Sequence, residues 1–247
     1  MPRINQQIND PFLPVRKEQL YTSGNMPSTQ YAVMLDDVEV GHVSENYQLV
    51  QNETVHQIAL DVLSRSNMGF DDAGFIFDGK RYRQRWVLPD LSVEPVKGDI
   101  VQLTFDVINS YDGSTTFGLA FNAQRLVCTN GMMCDFLLGG FKFRHFDNDN
   151  FVDELDAAVD TLHNLSNKLE PLGTKIQRLI DQPIDRQAMQ KTFTDLKLTD
   201  KLKANIFMSV EEDSAWGLYN ACTHVLSQAG THHADNINRQ VSRYMLS

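Results

Sequence analysis

Two alternating apolar rows within residues 100–130 constrain the fold of this chain more than any other feature. The stretch reads IVQLTFDVINSYDGSTTFGLAFNAQRLVCTN, with apolar residues at every second position on either side of Asp112 and Gly113. Alternation with a period of two predicts β-strands that each bury one side, and the Asp-Gly pair predicts the turn of a hairpin between them. We therefore expect this hairpin to form the centre of a sheet.

The length of the turn decides whether the two rows share a face. A two-residue loop would pair Phe105 with Ala120 and put the rows on opposite faces, because a one-residue slip reverses every side chain. A three- or five-residue loop with Gly113 in the left-handed region puts both rows on one face. We favour the longer loop, and expect any chemistry on the opposite side, around Asp106, or at Arg125, where a charge interrupts the second row.

A second hairpin, at residues 73–88, carries alternating arginines. A two-residue turn at its Asp-Gly pair would match Phe75 with Tyr82 and put the aromatic side chains, including Trp86, on one face. The other face then carries Arg81, Arg83 and Arg85.

The patterns as a whole predict an α+β fold, with an N-terminal antiparallel β-sheet and one or two helices, followed by an all-helical part packed on it. Residues 1–30 are interpreted as an extended arm, residues 31–147 as a β-rich core, and residues 148–247 as a helical region. The other predicted elements are a hairpin turning at Asp36-Asp37, a strand at 141–146, and helices at 53–64, 151–169, 174–181, 184–193, 199–208, 214–228 and 235–246.

Several helix ends carry sequence signals. Asn52, Thr199 and Ser214 are predicted N-caps, since their side chains can accept hydrogen bonds from the first turn. Pro171 and Gly173 are predicted to end the helix that begins at residue 151.

The composition disfavours several classes of protein. A net charge of -10 over 247 residues argues against a strong non-specific binder of duplex DNA. No apolar run approaches the ~20 residues of a membrane span, so we expect no membrane partner and a cytoplasmic location. Three cysteines, without metal-ligand spacing, are expected to be buried reduced thiols.

Catalytic and cofactor motifs are not found in the sequence. It holds no Gly-rich phosphate loop, nucleophile elbow or HExxH motif. The pair His232-His233 is interpreted as solvated loop residues, and nothing orients Cys128 and His145 as a nucleophile and its base. We expect no cofactor, no metal and no enzymatic activity, and rank an enzyme behind two other hypotheses.

The strongest candidate site is the basic and aromatic run KRYRQRW at residues 80–86. Alternating arginines on an exposed strand face can follow a phosphate backbone. Alternatively, these charges protect a solvated edge strand from aggregation and pair with acidic residues nearby in the sequence, Asp71, Asp72, Asp78 and Asp90. The candidate nucleic-acid ligands are Lys80, Arg81, Arg83 and Arg85, joined by Arg125, Lys142 and Arg144 if their strands lie beside this hairpin.

Five stretches of the chain form a recognisable set in this order: GHVSENYQLVQNE (41–53), DGKRYRQRWVL (78–88), NSYDGSTTFGLAFNAQRLVCTN (109–130), FKFRHF (141–146) and SAWGLYNACTHVLSQ (214–228). Together they resemble the phage/plasmid-like family described as domain of unknown function 932. The resemblance implies a phage or mobile-element origin, but it carries over neither an accepted activity nor catalytic residues. A sheet backed by helices in such an element is analogous to single-strand annealing recombinases, which grip a stretched strand in a basic groove and assemble into rings or helices.

Two hypotheses for the function follow. The first is a phage or mobile-element protein of DNA metabolism, non-enzymatic, that binds single-stranded DNA in the host cytoplasm and promotes strand annealing or recombination as a homo-oligomer. The alternative is an acidic interaction module that engages a host or phage protein without binding nucleic acid. Oligonucleotide binding and the mass in solution separate the two.

Overall fold

Strands form the first part of the chain and helices the last, which confirms the predicted α+β class. The computed structural model describes residues 9–126, 133–143, 150–229 and 232–246. The strands are β1 (Val15–Tyr21), β2 (Pro27–Leu35), β3 (Val38–Ser44), β4 (Asp71–Phe77), β5 (Arg81–Val96), β6 (Asp99–Ser110), β7 (Phe117–Leu126) and β8 (Met133–Phe143). The helices are α1 (Asn52–Arg65), α2 (Asn150–His163), α3 (Ser166–Asp181), α4 (Arg186–Asp195), α5 (Asp200–Ser209), α6 (Ala215–Ala229) and α7 (His232–Met245).

The described residues form two sheets, one of three strands in the order β1-β2-β3 and one of five in the order β4-β5-β6-β7-β8. The first contains the predicted turn between β2 and β3, where Asp36 has a φ of 53°. It also contains part of the segment interpreted as an extended N-terminal arm: β1 pairs antiparallel with β2, with Val15 opposite Leu35. Both side chains are buried, so the arm is anchored by apolar contacts from residue 15 onward.

Helix α1 follows the predicted apolar stripe, but Asn52 is not its N-cap. The cap position is Gln51, in extended conformation, and Asn52 is the first helical residue. The amide of Asn52 is buried, donates to the carbonyl of Pro11 at 2.9 Å and accepts from Asn109 at 2.9 Å. The side chain of Asn52 therefore makes tertiary hydrogen bonds and does not cap its own helix.

The register predicted for the arginine hairpin is wrong by two residues. Tyr82 lies opposite Phe77, and Phe75 lies opposite Gln84. The loop is Gly79-Lys80, with a φ of +86° at Gly79, the conformation that glycine adopts most readily. A shift of two residues preserves the faces, so Tyr82 is buried as expected.

The central hairpin confirms that both apolar rows share a face. The connection from Tyr111 to Thr116 is longer than two residues. The rings of Phe105 and Phe121 lie 5.3 Å apart, and both are fully buried. The opposite side is covered as well, because Asp106 has no exposed surface.

The predicted C-terminal end of the helix at residues 151–169 is wrong. Helix α2 stops at His163, and α3 starts at Ser166 and contains Pro171. At the break, the side-chain and backbone oxygens of Asn164 accept from Asn167 at 3.3 and 3.2 Å. Such local bonds compete with helical ones, whereas Pro171, five residues into α3, removes a single backbone donor.

The later helices agree better with the sequence patterns. Thr199 accepts from the N–H of Leu202 at 3.4 Å, and Ser214 accepts from Gly217 at 3.0 Å, so both predicted N-caps are confirmed. The pair His232-His233 was expected in a loop, yet it begins α7. No helix in the described ranges has the length and apolar character needed to cross a membrane.

The chain forms two compact units that are interleaved in sequence. The first comprises Met1–Leu88, Thr104–Phe121 and Gly139–His163. The second comprises Pro89–Leu103, Asn122–Leu138 and Asn164–Ser247. Most of these boundaries fall inside strands.

Candidate nucleic-acid interface

The turn after β6 is the place where separate sequence stretches meet in the first unit. Gly41 on β3 packs so closely on it that an added Cβ would lie 3.0 Å from the Cβ of Asp112. The hydroxyl of Tyr47 donates to the carbonyl of Ser110 at 2.7 Å. The YDGS turn is therefore held by the stretch that follows β2.

The β4–β5 loop contacts the same turn. The N–H of Tyr111 donates to the carbonyl of Lys80 at 2.7 Å. The Nε of Arg81 donates to the hydroxyl of Ser114 at 3.0 Å. Two exposed cations are thus positioned by backbone and side-chain bonds to a neighbouring turn, a relationship that the local sequence pattern did not indicate.

Asp112 lies among these groups. Partial burial disfavours its charged carboxylate, yet the pKa of Asp112 is lowered from its usual value. Hydrogen bonds from Ser114 and the positive charges of Arg81 and Lys80 outweigh the burial. We call the four residues Lys80, Arg81, Asp112 and Ser114 the turn site.

The arginines of β5 share one side of the strand, as predicted, but their exposure falls steeply along it. Arg81 is exposed, whereas the side chain of Arg83 is 36% exposed and that of Arg85 is 12% exposed. The Nε of Arg83 donates to Oδ2 of Asp106 at 2.7 Å. The Nε of Arg85 donates to Oδ1 of the same carboxylate at 2.8 Å.

Asp106 is the partner that sequence reasoning missed. Burial raises its pKa to about 6, against the opposing charge of Arg85, so the carboxyl is mainly ionised at pH 7. The acidic residues expected to pair with the arginines were sequence neighbours, whereas Asp106 belongs to the adjacent strand β6. Its position on the polar side of the central hairpin was the available signal.

The remaining predicted ligands stay predictions. Arg125 belongs to β7 and Lys142 to β8. Arg144 lies outside the described residues. The structure therefore brings together Lys80, Arg81, Arg83 and Arg85.

A second polar cluster lies on the opposite side of β5. The hydroxyl of Tyr82 donates to Gln84 at 3.3 Å and contacts Nδ1 of His56 at 3.1 Å. Burial raises the pKa of Tyr82 and lowers the pKa of His56. Gln84 in turn donates to Asp72. These bonds satisfy buried polar atoms between α1 and β5 and leave Tyr82 and Trp86 as core residues.

The described part of the chain gives little support for a metal site or for a reactive cysteine. No group of three or more His, Cys, Asp or Glu side chains there could hold a metal ion. Cys222 is buried as predicted, and burial raises the pKa of its thiol to about 12. Such a thiol is a poor nucleophile at neutral pH.

Comparison with known proteins gives one match. A family model described as "Domain of unknown function (DUF932)" matches residues 39–245. The matched region contains all five stretches that carry the sequence resemblance, including those that meet at the turn site. Neither a curated protein nor a solved structure matches the chain.

Proposed function

The chain belongs to the family described as domain of unknown function DUF932, and for this member we propose a non-enzymatic role in DNA metabolism, the binding of single-stranded DNA. The observation that carries the proposal is the row Lys80, Arg81, Arg83, whose outer end is exposed and whose inner end is braced by Asp106. We place the protein in the cytoplasm of a cell that hosts a phage or other mobile element. It acts there as a homo-oligomer in strand annealing or recombination.

Geometry favours a single strand over a duplex. Side chains two positions apart on a strand are roughly 6–7 Å apart, so Arg81 and Arg83 present two guanidinium groups at this spacing, with Lys80 in the loop beside them. A duplex carries a charge every ~1.7 Å and requires a broader basic surface than a protein of net charge -10 provides. A few phosphate contacts give weak, salt-sensitive binding.

Arg83 and Arg85 contribute in different ways. Arg85 is nearly buried and ion-paired, so its role is to hold Asp106 between the strands. Arg83 shares that carboxylate and keeps part of its guanidinium at the surface. Lys80 and Arg81 are the exposed cations that phosphate oxygens reach first.

Fluorescence anisotropy with a labelled oligonucleotide, at about 50 and about 200 mM salt, tests the proposal. We compare the Lys80→Ala/Arg81→Ala variant with a Lys175→Ala/Lys201→Ala control, which removes the same charge from exposed sites on α3 and α5. The first should weaken binding and reduce the salt dependence by about 0.7 in log–log slope per lost contact, and the control should do neither. Absence of binding at low salt, or equal effects of the two variants, contradicts the proposal.

A second function has its own support, the acidic interaction module that engages a host or phage protein. Strand β4 exposes apolar side chains, with Phe75 47% and Ile76 71% accessible, beside exposed Asp71 and Asp72. Exposed apolar surface bordered by charge is typical of protein-binding sites. A pull-down tests this function. Recovery of one stoichiometric partner with no DNA retained, and loss of that partner in the Ile76→Glu variant, favour it over DNA binding.

A further inference from the structure

Strand β4 has an open edge. It is first in the order β4-β5-β6-β7-β8, and within the described ranges only β5 pairs with it. The residues from Asp71 to Ile76 are all exposed, on both faces of the strand. An edge of this kind presents unpaired backbone donors and acceptors to another strand.

The first half of this edge carries protective features, Asp71, Asp72 and a bulge, and the second half does not. Proteins usually block edge strands with charges, proline or bulges along their length. Here a bulge lies at Gly74, where φ is +88° and the register shifts between Asp72 and Phe75. Beyond the bulge, the regular segment Phe75–Phe77 is apolar, and its middle residue, Ile76, is the most exposed.

Charge is distributed unequally between the two ends of β4. Asp71 and Asp72 stand at its first residues, and the turn after its last residue carries exposed Lys80 and Arg81 together with exposed Asp78, a net charge of +1. Two copies in antiparallel orientation place the acidic end of each next to the basic turn of the other, at both ends of the pair. A parallel pair would set like charges side by side.

We propose that β4 pairs antiparallel with β4 of a second copy of this chain, about a two-fold axis through Ile76. A two-fold axis perpendicular to a sheet keeps equivalent residues on the same face, so Ile76 can stand opposite Ile76. In this register, Phe75 of each copy faces Phe77 of the other. The pairing needs no nucleic acid, so it stands apart from the proposed DNA binding.

Pairing of two copies brings acidic side chains close to the turn site. Asp71 and Asp72 of one copy approach the cations Lys80 and Arg81 of the other, which are those proposed to bind phosphate. The strand is short, so few backbone hydrogen bonds form and we expect a dissociation constant in the micromolar range.

Mass measurement by sedimentation equilibrium, without DNA, from about 1 to about 200 µM, is the first test. We expect a monomer–dimer equilibrium that Ile76→Lys weakens at least tenfold. Asp71→Lys should also weaken it, and Asp71→Lys combined with Arg81→Glu, the residue opposite Asp71 in this register, should recover the wild-type constant within about threefold. A monomer at all concentrations, or a double variant no better than Asp71→Lys alone, overturns the proposal.

Cysteine cross-linking fixes the register. Opposed residues of an antiparallel pair have Cα atoms about 4.5–5.5 Å apart, within the range a disulfide spans. Ile76→Cys should therefore form a dimer under mild oxidation, and Gln177→Cys, an exposed control on α3, should not. Circular dichroism confirms that both variants fold. A dimer by mass that does not cross-link at residue 76 places the interface elsewhere and refutes the proposal.

Discussion

The Nε atom of Arg85 lies 2.8 Å from Oδ1 of Asp106, a carboxylate with no exposed surface. The contact joins β5 to β6 and compensates a charge that stands between two fully buried apolar residues, Phe105 and Val107. Because Arg83 binds the same carboxylate, Asp106 holds two arginines of β5.

Replacing Arg85 with methionine should destabilise the fold by about 3–5 kcal/mol at pH 7, because a buried carboxylate loses its principal counter-ion. The loss should be smaller at pH 5, where Asp106 can protonate and no longer needs the cation. Urea unfolding at the two pH values measures both effects. Arg81→Met, at an exposed position of the same strand, is the control. An equal loss at both pH values would disprove the ionic explanation.

Asp106 itself should make stability depend on pH. Its folded-state pKa of about 6 exceeds the ordinary 3.8, so its contribution is fully present below about pH 4 and is lost as the pH rises through 6. The difference corresponds to roughly 3 kcal/mol. Between pH 4 and 7 the stability of the wild type should fall relative to that of Asp106→Asn by up to this amount. A constant difference between the two proteins contradicts the assignment.

Gly41→Ala should cost about 1–3 kcal/mol, because the new methyl group meets the Cβ of Asp112 at 3.0 Å and its Cα at 3.1 Å. The YDGS turn must move, so oligonucleotide binding at Arg81 should weaken as well. Gly173→Ala on α3 is the matched control. An added Cβ there meets nothing within 4 Å, and alanine favours a helix, so stability should rise by up to about 1 kcal/mol. Thermal unfolding and anisotropy report the two effects.

Asn52→Ala should destabilise the first unit by about 2–3 kcal/mol, since the carbonyl of Pro11 and the amide of Asn109 each lose a buried partner. A double-mutant cycle with Asn109→Ala isolates the bond between the two amides. We expect a coupling of about 1 kcal/mol from chemical denaturation. Additive losses would show that the amides act independently.

The sequence predicts the fold where a periodic pattern is long. The rows around Phe105 and Phe121 were placed on one face because turn length and side-chain alternation depend on each other. The helix after Thr199 was placed because its cap is local. Both predictions use only residues close together in the chain.

Predictions failed where a distant residue or a local alternative intervened. The carboxylate of Asp78 accepts from the N–H groups of Lys80 and Arg81, at 2.9 and 2.7 Å, so the hairpin loop moves one residue along. Asn52 bonds to Asn109 across the unit instead of capping its own helix. The candidate site shows the same limit, because the cations are evident in the sequence and their pairing with Asp106 on the adjacent strand is not.

The interleaving of the two units limits how the sequence of this protein can be recombined. Four of the boundaries between them fall within β5, β6, β7 and β8, and the fifth follows α2 directly. Neither unit is therefore a continuous piece of chain, and no single cut of the gene separates them. Genetic exchange that replaces one half of the coding sequence would split both units at once. New variants of this protein should arise by substitution and by loop change, not by trading halves.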